Sequence, residues 1–236
     1  MYNRGRYRGG YRQQSSKSSS KSETQYIEQW QQTCIQDNEF YETHAQNRTY
    51  FYSIDLQGRL FLEETSPKNI ATSLKSPKFL DFFFSRLTRN ATGSFPSYPF
   101  FSPCGPEKNY IRPACQGVVF HDLRTAAAAP PSLVWGGSLT QTFDPSELAL
   151  CSRTGRIYHR LFLGGGGEGG RRTKMQKTGG EFGLIKSSVA GVLAERIDVD
   201  EDGEAWFQGW EGEGRFRIKE LPEECSSEEW GLPPMV

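Results

Sequence analysis

The chain has 236 residues, of which 36% are hydrophobic and 13% aromatic, and this apolar content suffices for one large domain or two small ones. Its 28 basic and 28 acidic residues cancel, so no overall field concentrates a polyanion such as DNA at the surface. The longest apolar stretches fall far short of the ~20 residues that cross a bilayer, so we expect no membrane span.

Both ends and one internal segment have the composition of unfolded chain. Residues 1–22 contain six Arg or Lys, no acid and no aliphatic residue after the first Met, which predicts a disordered basic tail. Segments of this Arg-Gly-Tyr type also bind RNA by charge and stacking, so RNA contact is an alternative use of the tail. A flexible glycine-rich loop is predicted at 164–181 and an acidic tail at 223–236.

The first predicted elements are a short helix and a β-hairpin. Ser22 and Gln25 form a capping box before a helix over 23–36, and we treat 23–45 as this helix and a linker. The runs "TYFYSI" and "RLFLEE" have strand composition, and Gly58 supplies the positive φ that a tight turn between them needs.

Two Ser-Pro pairs, Ser66-Pro67 and Ser76-Pro77, predict helix starts because each places a capping hydroxyl before a proline suited to the first helical position. After the second pair, five apolar side chains share one helical arc: Phe79, Leu80, Phe83, Phe84 and Leu87. We expect this helix to pack on the core.

Short strand candidates separated by Pro and Gly come next: "YPFFS", "NYIR", "VVFHDL", "LVWGG" and "RIYHRLFL". A second helix is predicted over 184–197 from the spacing of Ile185, Val189, Val192, Leu193 and Ile197. "AWFQGW" and "GRFRIKEL" then return to strand patterning. "GRLF" at 58–61 and "GRIY" at 155–158 each precede a helix and further strands, which predicts a duplicated unit.

This grouping of strands favours an α+β fold over a doubly wound parallel sheet, in which strands and helices alternate regularly. We expect two small packed subdomains of short antiparallel strands, each with one principal helix. The first covers 46–150 and the second 151–222, the latter interrupted by the loop at 164–181.

The stretch "PFFSPCGPEKNYIRP" at 99–113 combines residue types found in active-site loops. A catalytic thiol at Cys104 needs a base or a cation to hold it as thiolate, whereas the flanking Pro and Gly residues predict a tight connection with a half-buried cysteine. We therefore predict no catalytic residue. The candidates for lining a binding groove between the subdomains are Cys104, Glu107, Lys108, Asn109 and Arg112, with a small anion or a peptide as ligand.

No metal or cofactor is predicted. Five cysteines are an odd number, irregularly spaced and without a secretory leader before them, which favours reduced thiols inside the cell. "DVDEDG" at 198–203 matches the start of a calcium loop, but Gly209 stands where the bidentate Glu is required. We expect an acidic turn between a helix and a strand.

The ordered motifs "YFYSIDLQGRLFLEE", "FLDFFFSRL", "PFFSPCGPEKNYIR", "VVFHDL", "GRIYH" and "GLIKSS" resemble the eukaryotic uncharacterised protein family 0598, also called domain of unknown function 4505. The likeness covers roughly Arg48 to Leu221. It implies a mitochondrial location and supplies no catalytic residue. The chain is more distantly similar to the bacterial domain of unknown function 1285, which implies a pair of α+β subdomains.

These observations favour a mitochondrial, non-enzymatic binding or adaptor protein of unknown biochemical function. The first alternative is a small-molecule enzyme that uses Cys104, His121 and Asp122, and the second is RNA contact through residues 1–22. A cytoplasmic location is the alternative compartment, because the N-terminal segment lacks the Leu-rich face of a presequence.

Overall fold

The computed structural model describes residues 35–126, 129–162, 182–210 and 214–221. The predicted basic tail, most of the 23–36 helix, the glycine-rich loop and the acidic tail lie outside these residues. Within them, three helices and sixteen strands in four sheets confirm the α+β class. The helices are α1 (Asn38–Gln46), α2 (Pro77–Phe84) and α3 (Ser187–Ala194).

The strands of the first half are β1 (Thr49–Ile54), β2 (Leu60–Leu62), β3 (Thr88–Arg89), β4 (Phe100–Cys104), β5 (Glu107–Pro113), β6 (Val119–Phe120), β7 (Asp122–Ala126), β8 (Ala129–Trp135) and β9 (Leu139–Thr142). Those of the second half are β10 (Leu148–Cys151), β11 (Arg156–Arg160), β12 (Phe182–Ile185), β13 (Ile197–Val199), β14 (Ala205–Gln208), β15 (Arg215–Arg217) and β16 (Lys219–Glu220).

The predicted hairpin is confirmed as β1 and β2. Gly58 has φ of 81°, and the carboxylate of Asp55 fixes the turn by accepting the backbone N–H groups of Gln57 and Arg59, each at 2.9 Å. The Arg59 guanidinium donates to the same carboxylate at 2.6 Å. An Asp at a turn tolerates this geometry because its short side chain bonds the local backbone.

Helix α2 is also confirmed, with Ser76 as its N-cap and Pro77 as its first residue. The helix predicted after Ser66-Pro67 is wrong. There the side chain of Asn69 accepts the N–H groups of Ala71 and Thr72, and the Thr72 hydroxyl donates to the Pro67 carbonyl. These local side-chain bonds satisfy the backbone in place of a helix.

Helix α1 lies in the region expected to be a linker, where Asp37 accepts the N–H of Phe40 at 2.8 Å. Helix α3 is shorter than predicted because residues before it pair as strand β12 and Ile197 begins strand β13. Its residues Val189 and Leu193 are buried, as expected, whereas Val192 is 57% exposed.

The first five-stranded sheet has the order β2-β1-β5-β4-β3, and the second has β16-β10-β11-β12-β6. Three-stranded sheets of β7-β8-β9 and β13-β14-β15 complete the described fold. The five-stranded sheets are mixed, which differs from the antiparallel expectation: β5 runs parallel to β1, β16 to β10 and β6 to β12. Crossover connections through α2 and α3 allow the first two of these pairings.

The two halves share part of their element order. In each, a hairpin with a positive-φ glycine, at Gly58 or Gly155, comes before an eight-residue helix and a three-stranded meander, and in the second half strand β12 lies between the hairpin and the helix. The duplication stays a prediction. In the first half the last meander strand, β5, returns parallel to β1. In the second half the chain continues from β15 into β16, which returns parallel to β10.

One continuous cluster of buried side chains joins both five-stranded sheets, including Ile54, Phe83, Val119, Tyr158 and Leu193. Strand β6 lies within the predicted first subdomain but pairs in the second sheet. The division at residue 150 therefore stays a prediction. In the part of the chain that the structure describes, no helix has the length and apolarity to cross a bilayer.

Candidate functional site

The five residues predicted to line a binding groove all lie on the hairpin of β4 and β5. Gly105, with φ of 64°, and Pro106 form the turn between Cys104 and Glu107, which are cross-strand partners. The predicted tight connection is thus present. The cysteine is 7% exposed.

The hairpin divides these five residues between opposite faces of the first sheet, because successive strand residues point to opposite sides. Cys104 pairs with Glu107, and Asn109 follows two residues after Glu107, so these three share the face on which α2 packs. Lys108 pairs with Pro103, and Arg112 follows at even spacing, so both lie on the other face. Cys104, Glu107 and Asn109 thus share one face of the sheet, and the cations Lys108 and Arg112 lie on the opposite face.

Arg112 belongs to a buried group that we call the Glu63 cluster: Glu63, Lys68, Tyr98 and Arg112. The Arg112 Nε and Nη2 atoms donate to Glu63 Oε1 at 2.9 and 2.6 Å, and the Tyr98 hydroxyl donates to the other carboxylate oxygen. Lys68 Nζ donates to the Glu63 backbone carbonyl at 2.7 Å. The Glu63 side chain is fully buried, so its charge depends on these partners.

The Glu63 carboxylate is bound at both oxygens by donors of the same cluster, which favours a structural role. Burial raises the pKa of Tyr98, and the negative charge of Glu63 raises it further, so the phenol stays a neutral donor. Beside it, side chains of α1, β1 and β5 form an aromatic cluster, which includes Tyr41, Phe51 and Tyr110. The Arg112 guanidinium therefore joins β5 to the segment that follows β2 through Glu63, and an incoming anion would have to displace that carboxylate.

The opposite face carries a second polar group, which we call the Tyr52 cluster: Tyr52, Ser102, Cys104, Glu107 and Asn109. Ser102 is its centre. The Ser102 hydroxyl donates to the Phe83 carbonyl of α2 at 2.7 Å and lies 3.5 Å from the Cys104 sulfur. Asn109 Nδ2 donates to the Ser102 carbonyl at 2.8 Å.

The Tyr52 cluster contains a buried polar atom that has no hydrogen-bond partner among the described residues. The Asn109 side chain is only 1% exposed, and its Oδ1 accepts no hydrogen bond from any residue that the structure describes. Burial raises the pKa of Tyr52, and the negative charge of Glu107 adds to this, as do Cys104 and Glu64. Tyr52 is therefore a neutral hydroxyl under the negative charges of Glu107 and Glu64, and it shares a face of the sheet with the unused acceptor of Asn109.

The described hydrogen-bond partner of Cys104 is neither a base nor a cation. Lys108 and Arg112 lie across the sheet from it, and its hydrogen-bond partner is a neutral hydroxyl. The chain's three histidines have other partners: His44 Nδ1 is 2.8 Å from the Phe40 carbonyl, and His121 Nε2 is 3.2 Å from the Gly136 carbonyl. His159 Nε2 accepts the Asp144 N–H at 3.0 Å. Burial lowers the pKa of both His121 and His159.

The acidic turn at 198–203 joins two strands, β13 and β14, where a helix and a strand were expected. Asp200 Oδ1 accepts the N–H groups of Asp202 and Glu204, and its Oδ2 accepts the indole N–H of Trp206 at 2.6 Å. These hydrogen bonds lower the pKa of Asp200. The carboxylate thus organises its own hairpin, and the described residues contain no group of three or more His, Cys, Asp or Glu that could hold a metal ion.

Comparison with known proteins places the chain in a family. The model of a domain of unknown function, DUF4505, matches residues 41–219. The chain belongs to this family. DUF4505 is a domain of unknown function, so the membership fixes a domain extent and leaves the site to be argued from its residues.

Two solved structures resemble this DUF4505 chain, in agreement with the distant similarity expected from its sequence. A DUF1285 family protein from Silicibacter pomeroyi DSS-3 has a TM-score of 0.41 and 16% identity, over 78% of this chain and 85% of that one. A DUF1285 family protein from Shewanella baltica OS155 has a TM-score of 0.36 and 16% identity, over 62% of this chain and 91% of that one.

Sequence reasoning named three of the five Tyr52 cluster residues and missed Tyr52 and Ser102. Tyr52 was treated only as a strand residue of "TYFYSI". The signal available was its even spacing with Ile54 on one face of the hairpin, but its neighbour β5 begins more than fifty residues later. The cluster therefore depends on a pairing that local patterns do not contain.

Proposed function

We propose that this DUF4505 chain is a non-enzymatic binding protein, and that its Tyr52 cluster binds the ammonium group of a peptide or small molecule. The observation that carries the proposal is the buried Asn109 Oδ1, which lacks a partner among the described residues. A buried acceptor without a donor costs about 1–3 kcal/mol, and a ligand N–H would recover that cost.

The charges around this atom favour a donor over an anion. Glu107 is half-buried on the same face as Asn109, and Glu64 is exposed and acts electrostatically on Tyr52. A carboxylate beside a partly buried site stabilises a cation, whereas an anion would be repelled. Of the two ligand classes predicted from sequence, the peptide fits this set of acceptors and the small anion does not.

The rival proposal of a Cys104 enzyme has weaker support. Nucleophilic catalysis needs a base within hydrogen-bond reach of the thiol, and the described partner of Cys104 is the Ser102 hydroxyl. His121 bonds the Gly136 carbonyl, and Asp122 is exposed with Arg124 as its ion-pair partner at 3.7 Å.

We also propose a mitochondrial location, which rests on the family resemblance. Fractionation of cells that express the full chain, or the chain without residues 1–45, tests it. Recovery of the full chain in mitochondria supports the location, and recovery only in cytosol contradicts it. RNA contact through residues 1–22 concerns a segment outside the described structure, and loss of RNA retention at low salt upon its deletion would be the corresponding test.

The binding proposal is tested with tetraglycine amide, which has a free ammonium group, and with its N-acetylated form as the matched probe. We expect calorimetry on the full chain to show binding of the first and at least tenfold weaker binding of the second. Glu107→Gln should weaken tetraglycine amide binding about tenfold, because it removes a charge-assisted acceptor.

Two variants control this experiment. Tyr52→Phe removes a hydroxyl that bonds no described residue, so the fold should persist while affinity falls. Lys108→Gln lies on the opposite face of the sheet and should leave affinity unchanged. Equal binding of both probes, or a loss of binding in Lys108→Gln alone, would overturn the proposal.

A further inference from the structure

Two other buried cysteines, Cys115 and Cys151, both lie at the β10–β11 hairpin of the second sheet. Cys115 lies in the segment between β5 and β6 and is 3% exposed. Its sulfur is 3.2 Å from the Tyr158 hydroxyl of β11. The thiol therefore rests directly on the second sheet.

Cys151 lies on the same face of that sheet. It ends β10 and is the cross-strand partner of Arg156, and Ala149 in the same strand is the partner of Tyr158. Because residues two apart point to one side, Cys151, Arg156 and Tyr158 share a face. Arg156 also hydrogen-bonds the thiol of Cys115. Both cysteines thus adjoin the same tyrosine and arginine.

The two thiols differ in how easily they ionise. Burial opposes ionisation of Cys151, but the hydroxyl and backbone N–H of Thr154, with Arg153, lower its pKa below the ordinary value. Burial raises the pKa of Cys115, although Tyr158 and Arg156 act in the opposite direction. Cys151 ends strand β10 and is 8% exposed, and Cys115 is 3% exposed.

We propose that Cys151 is an oxidation site for hydrogen peroxide or an organic hydroperoxide, and that Cys115 resolves the product as an intramolecular disulfide. In the first step the Cys151 thiolate attacks one peroxide oxygen, an S–O bond forms and the O–O bond breaks. The leaving hydroxide or alkoxide takes a proton to become water or an alcohol. Cys151 is then a sulfenic acid.

In the second step the sulfur of Cys115 attacks the sulfur of Cys151. An S–S bond forms, the S–O bond breaks, and the leaving hydroxide takes the proton of the Cys115 thiol to become water. Two thiols are oxidised and one peroxide is reduced. Arg156 has the charge that stabilises Cys115 as it loses its proton.

The inference is independent of the proposed binding function, because no member of the Tyr52 cluster takes part. Cys104 provides the matched control within the same fold. It is similarly buried, and its partner is a neutral serine hydroxyl on the first sheet. We expect it to remain a thiol under the conditions that oxidise Cys151.

The experiment treats the full chain with excess hydrogen peroxide, alkylates free thiols under denaturing conditions, and maps peptides by mass spectrometry without reduction. We expect a linked Cys115–Cys151 peptide pair and an alkylated Cys104. Cys115→Ser should instead accumulate a dimedone adduct at Cys151, because the resolving thiol is gone. Cys151→Ser should leave Cys115 alkylated, and Cys104→Ser should keep the linked pair.

Absence of the linked pair in the unmodified chain would overturn the proposal, as would linkage of Cys151 to Cys34 or Cys225 in its place. Absence of a dimedone adduct in Cys115→Ser would do the same. Circular dichroism of each variant shows that it is folded before oxidation. The linkage in the unmodified chain needs no substitution, so the proposal is testable even if a variant fails to fold.

Discussion

The carboxylate of Asp81 on α2 binds Ser138 in the turn between β8 and β9 at both of its oxygens. Asp81 Oδ1 accepts the Ser138 N–H at 2.7 Å and the Gly137 N–H at 3.0 Å, and Oδ2 accepts the Ser138 hydroxyl at 2.6 Å. A side chain of the first sheet's helix therefore organises the turn of a separate sheet. This contact joins two parts of the fold that are more than fifty residues apart in sequence.

Asp81→Ala should lower the free energy of unfolding by about 1–2 kcal/mol, because it removes an ionised acceptor from three donors. Urea denaturation followed by circular dichroism measures the change. Asp122→Ala is the control, since among the described residues this exposed carboxylate forms a loose ion pair at 3.7 Å, and it should change stability by less than about 0.5 kcal/mol. A larger loss in Asp122→Ala than in Asp81→Ala contradicts the assignment.

The contribution of Asp81 should depend on pH in a defined direction. Partial burial alone would raise the pKa of Asp81, but hydrogen bonds from the Ser138 hydroxyl, from the Ser138 and Gly137 N–H groups and from Leu139 lower it overall. A folded-state pKa below the unfolded value adds stability above the unfolded pKa, and this stability is lost as pH falls through the folded pKa. The stability difference between the unmodified chain and Asp81→Ala should therefore be full at neutral pH and shrink in acid. If the stability difference between the two proteins grew in acid, the pKa of Asp81 would be raised by folding, and the prediction would be wrong.

The same turn approaches α2 so closely that only glycine fits at position 137. A Cβ atom there would lie 2.4 Å from the Pro77 carbonyl oxygen and 2.7 Å from the Pro77 Cα, and both are backbone atoms. Gly137→Ala should lower the free energy of unfolding by about 1–3 kcal/mol through this overlap. Gly191→Ala in α3 is the matched control: its Cβ would meet nothing within 4 Å, and it should stabilise the chain by about 0.5–1 kcal/mol. The melting temperatures of both variants test this prediction. A lowered melting temperature for Gly191→Ala with no change for Gly137→Ala would contradict the close approach at position 137.

The Glu63 cluster should contribute far more to stability than the exposed ion pairs. Glu63→Gln removes a fully buried charge whose carboxylate oxygen Oε1 binds Arg112 twice, and this should cost about 3–5 kcal/mol of unfolding free energy. Arg217→Gln is the control, since its partner is Glu204 at 2.6 Å and both side chains are largely exposed. It should cost at most about 1 kcal/mol. Equal losses for the two substitutions would show that the Glu63 pair is no better shielded from water than a surface pair.

Sequence patterns correctly predicted the elements that are determined by neighbouring residues, such as turn glycines and helix caps. The β1–β2 hairpin follows from two strand-like runs around Gly58, and α2 follows from Ser76, Pro77 and its apolar arc. The Ser66-Pro67 pair carried the same signal and gave no helix, because Asn69 and Thr72 offer the backbone competing hydrogen bonds. A cap and a proline mark where a helix can begin, and the following residues decide whether it does.

The composition of the site was partly predictable, but its geometry was not. Glu107 to Arg112 was treated as one lining surface, whereas a strand sends alternate side chains to opposite faces. Glu63 ends a run that resembles a solvent-facing strand end, and it is buried because Arg112 arrives beside it 49 residues later. Such pairings depend on the parallel contact of β1 with β5. The spacing of apolar residues within either strand does not predict that contact.

The most direct test of the binding account is a titration of the isotope-labelled full chain with tetraglycine amide, followed by the NMR signals of the Asn109 side-chain amide. Asn109 adjoins the proposed ammonium site and lies across the sheet from Lys108 and Arg112. We predict that the Asn109 side-chain signal and the Glu107 backbone signal shift and saturate together, while the N-acetylated peptide leaves both in place. Saturable shifts at the Arg112 side chain with an unmoved Asn109 amide would contradict the account.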